Sequence, residues 1–279
     1  MTQIQTDRPA YDVVSYVRRG SRMTASQRGW LERHADRWLI PFLAGPRTRS
    51  VAAQPPLDLQ AVFGRRGDLV VEIGCGQGEA LTAAAQLHPG TDFLGFEVFE
   101  PALAVSLGRI AAAGLTNVRL VAADAIGGLE HLIAPGALSQ LWVFFPDPWP
   151  KARHHKRRLV SPAFAALAAD RLGRGGWLRL ATDWPDYAAA MTEALSARDD
   201  LTAVPAGRFA ERPLTKFERR ALEQGRTVQD LTYRRTDPSG AAASPIPITR
   251  SESAPPQAGS RPPDHSPAPA TPDESEPQS

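Results

Sequence analysis

The chain has 279 residues, 42% of them apolar, which allows a sizeable core, and its single cysteine, Cys75, excludes a disulfide framework and a cysteine-rich zinc site. No apolar run approaches the roughly 20 residues that span a membrane, and MTQIQTDRPAYD lacks the basic start and apolar run of a secretory signal, so a cytoplasmic protein is expected. The net charge of +2 hides an asymmetry: residues 237–279 hold six acids against two arginines, which leaves +6 on residues 1–236, a surplus suited to a polyanionic partner.

Residues 1–10 have the composition of a flexible end. Residues 11–55 form a basic arm, with Arg18, Arg19, Arg22, Arg28, Arg33, Arg37, Arg47 and Arg49. Within it, TASQRGWLERHADRWL spaces Trp30, Leu31, His34 and Trp38 as a helix does, with Thr24 or Ser26 as its cap. These arginines suit either a solvated face or an arm that meets phosphates. Residues 56–236 then read as one domain in which strands and helices alternate. The strands are LVVEI (69–73), DFLGFE (92–97), NVRLVAAD (117–124), LWVFF (141–145) and WLRLATD (177–183). Between them lie EALTAAAQLH, PALAVSLGRIAAAG, a weak helix near 126–134, and SPAFAALAADRLGRGG, a capped helix with a glycine stop; WPDYAAAMTEALSA follows the last strand. This alternation predicts βαβ units, and so an α/β fold with a mainly parallel, doubly wound sheet. Beyond Asp237, Pro, Ser and Ala dominate and aromatic residues vanish. Such a segment cannot bury enough apolar area to offset the entropy of ordering, so a disordered acidic tail is expected over 237–279.

In such sheets ligands bind beyond the carboxyl ends of the strands. After the first strand stands EIGCGQG, in which Gly74, Gly76 and Gly78 let the backbone turn tightly and approach a ligand closely. A purely structural turn would need the same glycines. The spacing is not the dinucleotide pattern, which has two residues before its third glycine. Glu97 ends the second strand, where an acid can accept from two ribose hydroxyls or cap a helix. Asp124 ends the third, where it can accept from an adenine amino group or serve as a helix N-cap. Asp147 and Asp183 follow the fourth and fifth strands, and Glu72 lies within the first. Carboxylates repel phosphate, so this set disfavours a nucleoside triphosphate or a dinucleotide. It favours a ligand with hydroxyls, an ammonium and a sulfonium, which S-adenosyl-L-methionine provides. Acids spread along successive strands suit a magnesium or calcium site poorly, and no metal is expected.

The segments EIGCGQG, DFLGFEV, AADA, FFPDPWPKARHHKRR, ATDWPDYA and RPLTKFERRALEQGRTVQDL, with the weaker YVRRGSRMTASQ at 16–27, resemble the bacterial tRNA (guanine-N7-)-methyltransferase family. The resemblance spans roughly residues 11–236. It implies a Rossmann-like class I methyltransferase fold and transfer of a methyl group from S-adenosyl-L-methionine to N7 of guanine 46 in the tRNA variable loop. It implies cofactor contacts at Glu72, Gly74, Gly76, Gly78, Glu97, Asp124 and Asp147, with Asp147 the catalytic position. It implies tRNA or guanine contacts at Lys151, Asp183, Thr215, Lys216, Phe217 and Glu218. The basic stretch Arg153, His154, His155, Lys156, Arg157 and Arg158 becomes an RNA-binding surface. It further implies tRNA as partner, no membrane and no obligate protein partner, the chain acting as monomer or homodimer.

Several of these residues keep a second reading. Thr215 and Glu218 have capping-box spacing and suit a helix start. Trp149 can stack on a base or join the core. Cys75 reads as a small hydrophobe. A non-catalytic RNA-binding module on the same fold is disfavoured by the intact glycine turn and acids. A small-molecule methyltransferase is disfavoured by the basic run after Asp147.

Overall fold

The structure is a computed structural model and describes residues 22–236. The expected flexible end 1–10, residues 11–21 of the basic arm and the expected tail 237–279 lie outside the described residues. Helix α1 (Ala25–Trp38) opens on Thr24, whose side chain accepts from Gln27 N–H while the Gln27 side chain reaches back to the Thr24 N–H. That reciprocal capping box decides between the two caps the sequence offered. The short α2 (Leu59–Phe63) is capped by Asp58 and stopped by Gly64.

The alternating part then follows as β1 (Leu69–Ile73), α3 (Glu79–Leu87), β2 (Asp92–Phe96), α4 (Glu100–Ala112), β3 (Val118–Val121) and α5 (Ala125–Leu132). It continues as β4 (Leu138–Phe144), a 3-10 helix (Ala152–Arg157), α6 (Pro162–Arg171), β5 (Leu172–Thr182) and α7 (Pro185–Ser196). The last elements are β6 (Leu201–Ala203), α8 (Lys216–Glu223) and β7 (Gln229–Arg235). The seven strands form one sheet in the order β3-β2-β1-β4-β5-β7-β6. Pairing is parallel from β3 to β5, and β7 runs antiparallel to both β5 and β6.

Helices cover both faces, so β1 is buried along its whole length rather than alternating. Its side chains still divide by face with period two. Leu69, Val71 and Ile73 join the core packed by α5, α6 and α7, while Val70 joins the core of α3 and α4 with Trp142. Glu72 therefore points to the α3 side. Helix α1 lies on α4: Gln27 Nε2 donates to Pro101 O, and a side chain at Gly108 would come within 2.9 Å of the Trp30 ring. Chain order reverses between β1 and β4, which opens the ligand crevice at their carboxyl ends. Among the described residues no helix is long and apolar enough to cross a membrane.

The expected strand bounds shift in four of the strands, least in β2, which ends at Phe96 rather than Glu97. β3 is shorter than 117–124, because Asp124 is already the N-cap of α5. β4 starts three residues earlier than expected and stops at Phe144. The glycines after α6 are not a helix stop but the first half of an 11-residue strand. An added Cβ at Gly173 would meet Gly136 O at 3.0 Å, and one at Gly176 would meet Gly173 O at 2.9 Å, so only glycine lets β5 run past the irregular start of β4. Strands β6 and β7 and helix α2 had no clear sequence signal.

Candidate active site

The glycine turn is built by backbone bonds. The N–H groups of Gly74 and Cys75 both donate to Phe96 O, at 2.9 and 3.1 Å, and tie the end of β1 to the end of β2. Gly74, Gly76 and Gly78 have φ of 66, 55 and 71°, the left-handed region that glycine enters without penalty. Ser106 of α4 donates to Gly76 O at 2.7 Å and braces the turn from below. Cys75 is buried against Gly95, and burial pushes its thiol pKa up, so it stays protonated as a small hydrophobe.

Of the acids expected at the strand ends, Glu97 bonds this turn directly. Glu97 Oε2 accepts from Gly76 N–H and its Oε1 from Phe99 N–H, both at 2.8 Å, so the carboxylate is fixed at the lip of the crevice. Burial pushes its pKa up, the backbone N–H groups pull it back, and the charge of Asp147 adds to the rise. Glu72 is 5% exposed. Burial raises its carboxyl from 4.5 to about 8, against the Leu81 N–H and with help from Glu97 and Glu79. Its Oε2 has no hydrogen-bond partner among the described residues. Asp124 is the N-cap of α5, accepting from Ile126 and Gly127 N–H at 3.0 and 3.2 Å. The capping reading thus holds.

Asp147 stands exposed on the loop after β4. Phe145 N–H still donates to Ala181 O at 2.8 Å, but Phe145 has φ of 52° and Trp149 has φ of 45°. Bulky side chains in that region cost about 1–2 kcal/mol each. Pro146-Asp147-Pro148 is therefore flanked by two strained aromatics as well as stiffened by its prolines. Arg158 holds the loop from behind. Its Nε donates to Pro148 O at 3.0 Å, its Nη2 bonds the Asp186 carboxylate, and its guanidinium lies 4.9 Å from the Tyr187 ring. Arg158 is 6% exposed. The guanidinium expected on an RNA-binding surface is turned inward here, onto the protein's own carbonyl and carboxylate.

The rest of the basic run faces outward on the 3-10 helix. Lys151, Arg153 and Lys156 are exposed, and His154, His155 and Arg157 are half-buried. Trp149 is outside both cores. The Arg157 guanidinium covers its ring at 5.0 Å, and His154 meets its edge at 5.8 Å. Desolvation, then the charges of Arg157, Arg153 and Lys151, lower the His154 pKa. Burial and the neighbouring cations thus both disfavour a charge on this imidazole.

Asp183 follows β5 and accepts from Arg226 Nη1 at 2.8 Å. The TKFE segment starts α8, and it is brought beside the glycine turn by Lys216 N–H, which donates to Glu79 at 2.7 Å. Thr215 is the cap and accepts from Glu218 N–H at 3.3 Å. Lys216 and Phe217 are exposed. Glu218 is not. It is 2% exposed, and its two oxygens accept from Arg208 at 2.7 and 3.0 Å and from Arg212 at 3.1 and 3.2 Å. Burial pushes its pKa up, and the Arg208 and Arg212 hydrogen bonds more than reverse this, leaving it below the ordinary value. The resemblance implied a tRNA or guanine contact for Glu218. In the structure it is a buried anion that organises two arginines. Sequence reading missed Arg212. It is fully buried, bonds both Glu218 and Asp230, and lies 5.1 and 5.5 Å from the rings of Phe144 and Phe145. No spacing rule marks an arginine for burial, so this link was invisible before the fold.

The residues present fit S-adenosyl-L-methionine. The turn admits close approach, Glu97 and Asp124 suit hydroxyl and amino groups, and the orphaned oxygen of Glu72 suits an ammonium. Among the described residues no three His, Cys, Asp or Glu side chains stand together as a metal site requires. A family described as "Putative methyltransferase" matches residues 66–231. The tRNA (guanine-N(7)-)-methyltransferase of Cutibacterium acnes is 48% identical over 239 residues, which cover 84% of this chain and 87% of that protein. The protein of that name from Nocardioides sp. is 47% identical over 224 residues, 80% and 88% of the two chains. Among solved structures, the 16S rRNA methyltransferase KamB overlaps 70% of this chain and 99% of its own, at 17% identity and a TM-score of 0.48. At the identity and coverage of the two relatives, the chain belongs to the tRNA (guanine-N(7)-)-methyltransferase family and is an S-adenosyl-L-methionine-dependent enzyme.

Proposed function

We propose that this chain methylates N7 of guanine 46 in the variable loop of tRNA, giving 7-methylguanosine and S-adenosylhomocysteine. The single observation that carries this reading is the joining of Asp147 to the exposed cations Lys151, Arg153 and Lys156 on one short, braced loop. An acid suited to a purine and cations suited to the flanking phosphates then act on the same substrate. Residues 56–236 are the transferase domain and 11–55 its basic arm. The enzyme works in the cytoplasm, where its tRNA partner is, as a monomer or homodimer without a second kind of subunit.

When bound, S-adenosyl-L-methionine supplies the methyl group and the positive charge that leaves with it. Guanine N7 carries a free lone pair and needs no deprotonation. Methylation at that lone pair would leave the purine cationic. The chain therefore needs no strong general base. Asp147 orients the guanine and stabilises the developing charge without taking a proton. The loop that carries it is pre-set by Arg158 and by its strained flanks, so little reorganisation is left for the reaction. Glu72, Glu97 and Asp124 would hold the cofactor beside the glycine turn. Lys216 and Phe217 face the substrate, Phe217 as a platform for an unstacked base. Thr215, Glu218 and Arg212 fix that segment, and Asp183 with Arg226 borders it.

The test is methyl transfer from labelled S-adenosyl-L-methionine to unmodified tRNA, followed by nucleoside analysis. The reading expects 7-methylguanosine as the labelled product, and none from a transcript whose variable-loop guanine is replaced by 7-deazaguanine. Label that persists in that transcript would assign another base.

A further inference from the structure

Residues 44–51 of the arm form a small hairpin. Ala44 bridges Val51, Gly45 N–H donates to Ser50 O at 2.9 Å, and Ser50 Oγ donates to Arg47 O at 2.7 Å. Within it Arg49 has φ of 64°, a left-handed conformation that a residue other than glycine enters at a cost. That conformation aims both ends of Arg49 at the crevice. Its carbonyl accepts from Asp124 N–H at 2.7 Å. Its Nη1 donates to Ala122 O at 3.3 Å, and its Nη2 pairs with Glu100. Ala122 to Asp124 is the chain leaving β3, and Glu100 opens α4 three residues after Glu97. One arm residue thus ties together the two strand ends that carry Glu97 and Asp124. The hairpin also seats Val51 against Gly127 of α5, where an added Cβ would lie 3.4 Å from Val51 N.

The side chains of this pair are 27% and 47% exposed, and an ion pair so open to water adds little to stability. The strained backbone is better explained by what it holds in place. Sheet order puts β2 and β3 on the other side of β1 from β4, so the contact lies away from the Asp147 loop.

We propose that Arg49 is a positioning residue for the cofactor, and that the 44–51 hairpin is a clasp setting the spacing of Glu97 and Asp124 for the adenosine half of S-adenosyl-L-methionine. This rests on the reading of Glu97 and Asp124 as cofactor-binding. Arg49 does not itself need to touch the cofactor. It fixes the backbone of the two segments that do.

Arg49→Gly is the informative variant, because glycine keeps the φ without strain while the guanidinium is lost. Titration calorimetry of the full chain with S-adenosylhomocysteine should show a dissociation constant about tenfold weaker, the loss of one charge-assisted positioning contact. The melting temperature of the ligand-free protein should stay that of the wild type, while the rise on adding ligand shrinks. In steady state the defect should fall on KM for the cofactor and leave KM for tRNA unchanged. Glu97→Gln, run in parallel, separates the two readings. If Glu97→Gln weakens binding and Arg49→Gly does not, the clasp is overturned and the site stands. If neither weakens binding, the site assignment fails and the clasp with it. A drop in ligand-free melting temperature that accounts for the whole affinity loss would also overturn the proposal, reducing Arg49 to a structural contact.

Discussion

The Nε–H of Arg158 donates to the carbonyl oxygen of Pro148 at 3.0 Å, so the last cation of the basic run grips the residue next to Asp147. The same stretch of sequence therefore does two different jobs. Lys151, Arg153 and Lys156 look outward, and Arg158 looks inward. Arg158→Ala frees the loop that two positive-φ aromatics already strain. Misplacement of a reacting group by about 1 Å can cost about 100-fold, and turnover should fall by about 10- to 100-fold. The salt dependence of tRNA binding should not change. A shallower salt slope in this variant would show that Arg158 reaches a phosphate after all.

The exposed cations predict the opposite behaviour. Each phosphate contact contributes about 0.7 to 0.9 to the slope of log K against log salt. Alanine at Lys151, Arg153 and Lys156 together should make the slope shallower by about 2 to 3, measured by filter binding across salt concentrations. Cofactor affinity should be unaffected. An unchanged slope would move the RNA surface elsewhere.

Glu72 makes the enzyme sensitive to pH in two ways. Its carboxyl sits at about 8 in the folded chain, raised first by burial, against an ordinary 4.5. Between those values the folded state binds a proton that the unfolded chain releases, so this group makes the ligand-free protein less stable as pH rises from 4.5 to 8. Above pH 8 the accumulated cost is about 2–5 kcal/mol. Glu72→Gln should thus stabilise the ligand-free protein at pH 9 and change it little at pH 5, as read by denaturant titration. A cationic ligand beside the carboxylate favours its ionised form, so cofactor binding should release a proton near pH 7. Calorimetry in buffers of different ionisation enthalpy would detect it, and the variant should lose both the release and much of the affinity. Stability that rises with pH in the wild type relative to the variant would contradict the assignment.

Arg212 lies at the centre of a buried network with Glu218, Asp230 and the rings of Phe144 and Phe145. Removing its charge strands two carboxylates, and breaking a buried pair costs about 3–5 kcal/mol. Arg212→Met should lower the melting temperature accordingly. Adding Glu218→Gln to it should recover part of the loss, because the two sites share one network. Strict additivity would deny the coupling.

The core of the fold was legible because its strands are short apolar runs bounded by turns, and four strand ends each carry an acid. LVVEI was read to the residue, and Glu97 and Asp124 were read at their ends. The glycines at 173–176 misled, since a glycine cluster after a helix signals a stop as readily as a crowded strand. β6 and β7 were missed because one is three residues long and the other, QDLTYRR, is polar and only half-buried. The anions of the candidate site were visible in the sequence, but their partners were not. Arg158 resembles its neighbours in every local respect, and Arg212 and Arg49 acquire their roles only through contacts made across the fold.

The most direct measurement is single-turnover methyl transfer to unmodified tRNA by Asp147→Asn, scored as 7-methylguanosine, with S-adenosylhomocysteine binding followed in the same preparation. The account predicts a folded protein that still binds S-adenosylhomocysteine and has lost about 100- to 1,000-fold of its rate, the scale of one preorganised electrostatic contact. A rate near that of the wild type would show that Asp147 does not stabilise the methylated guanine, and would remove the central claim.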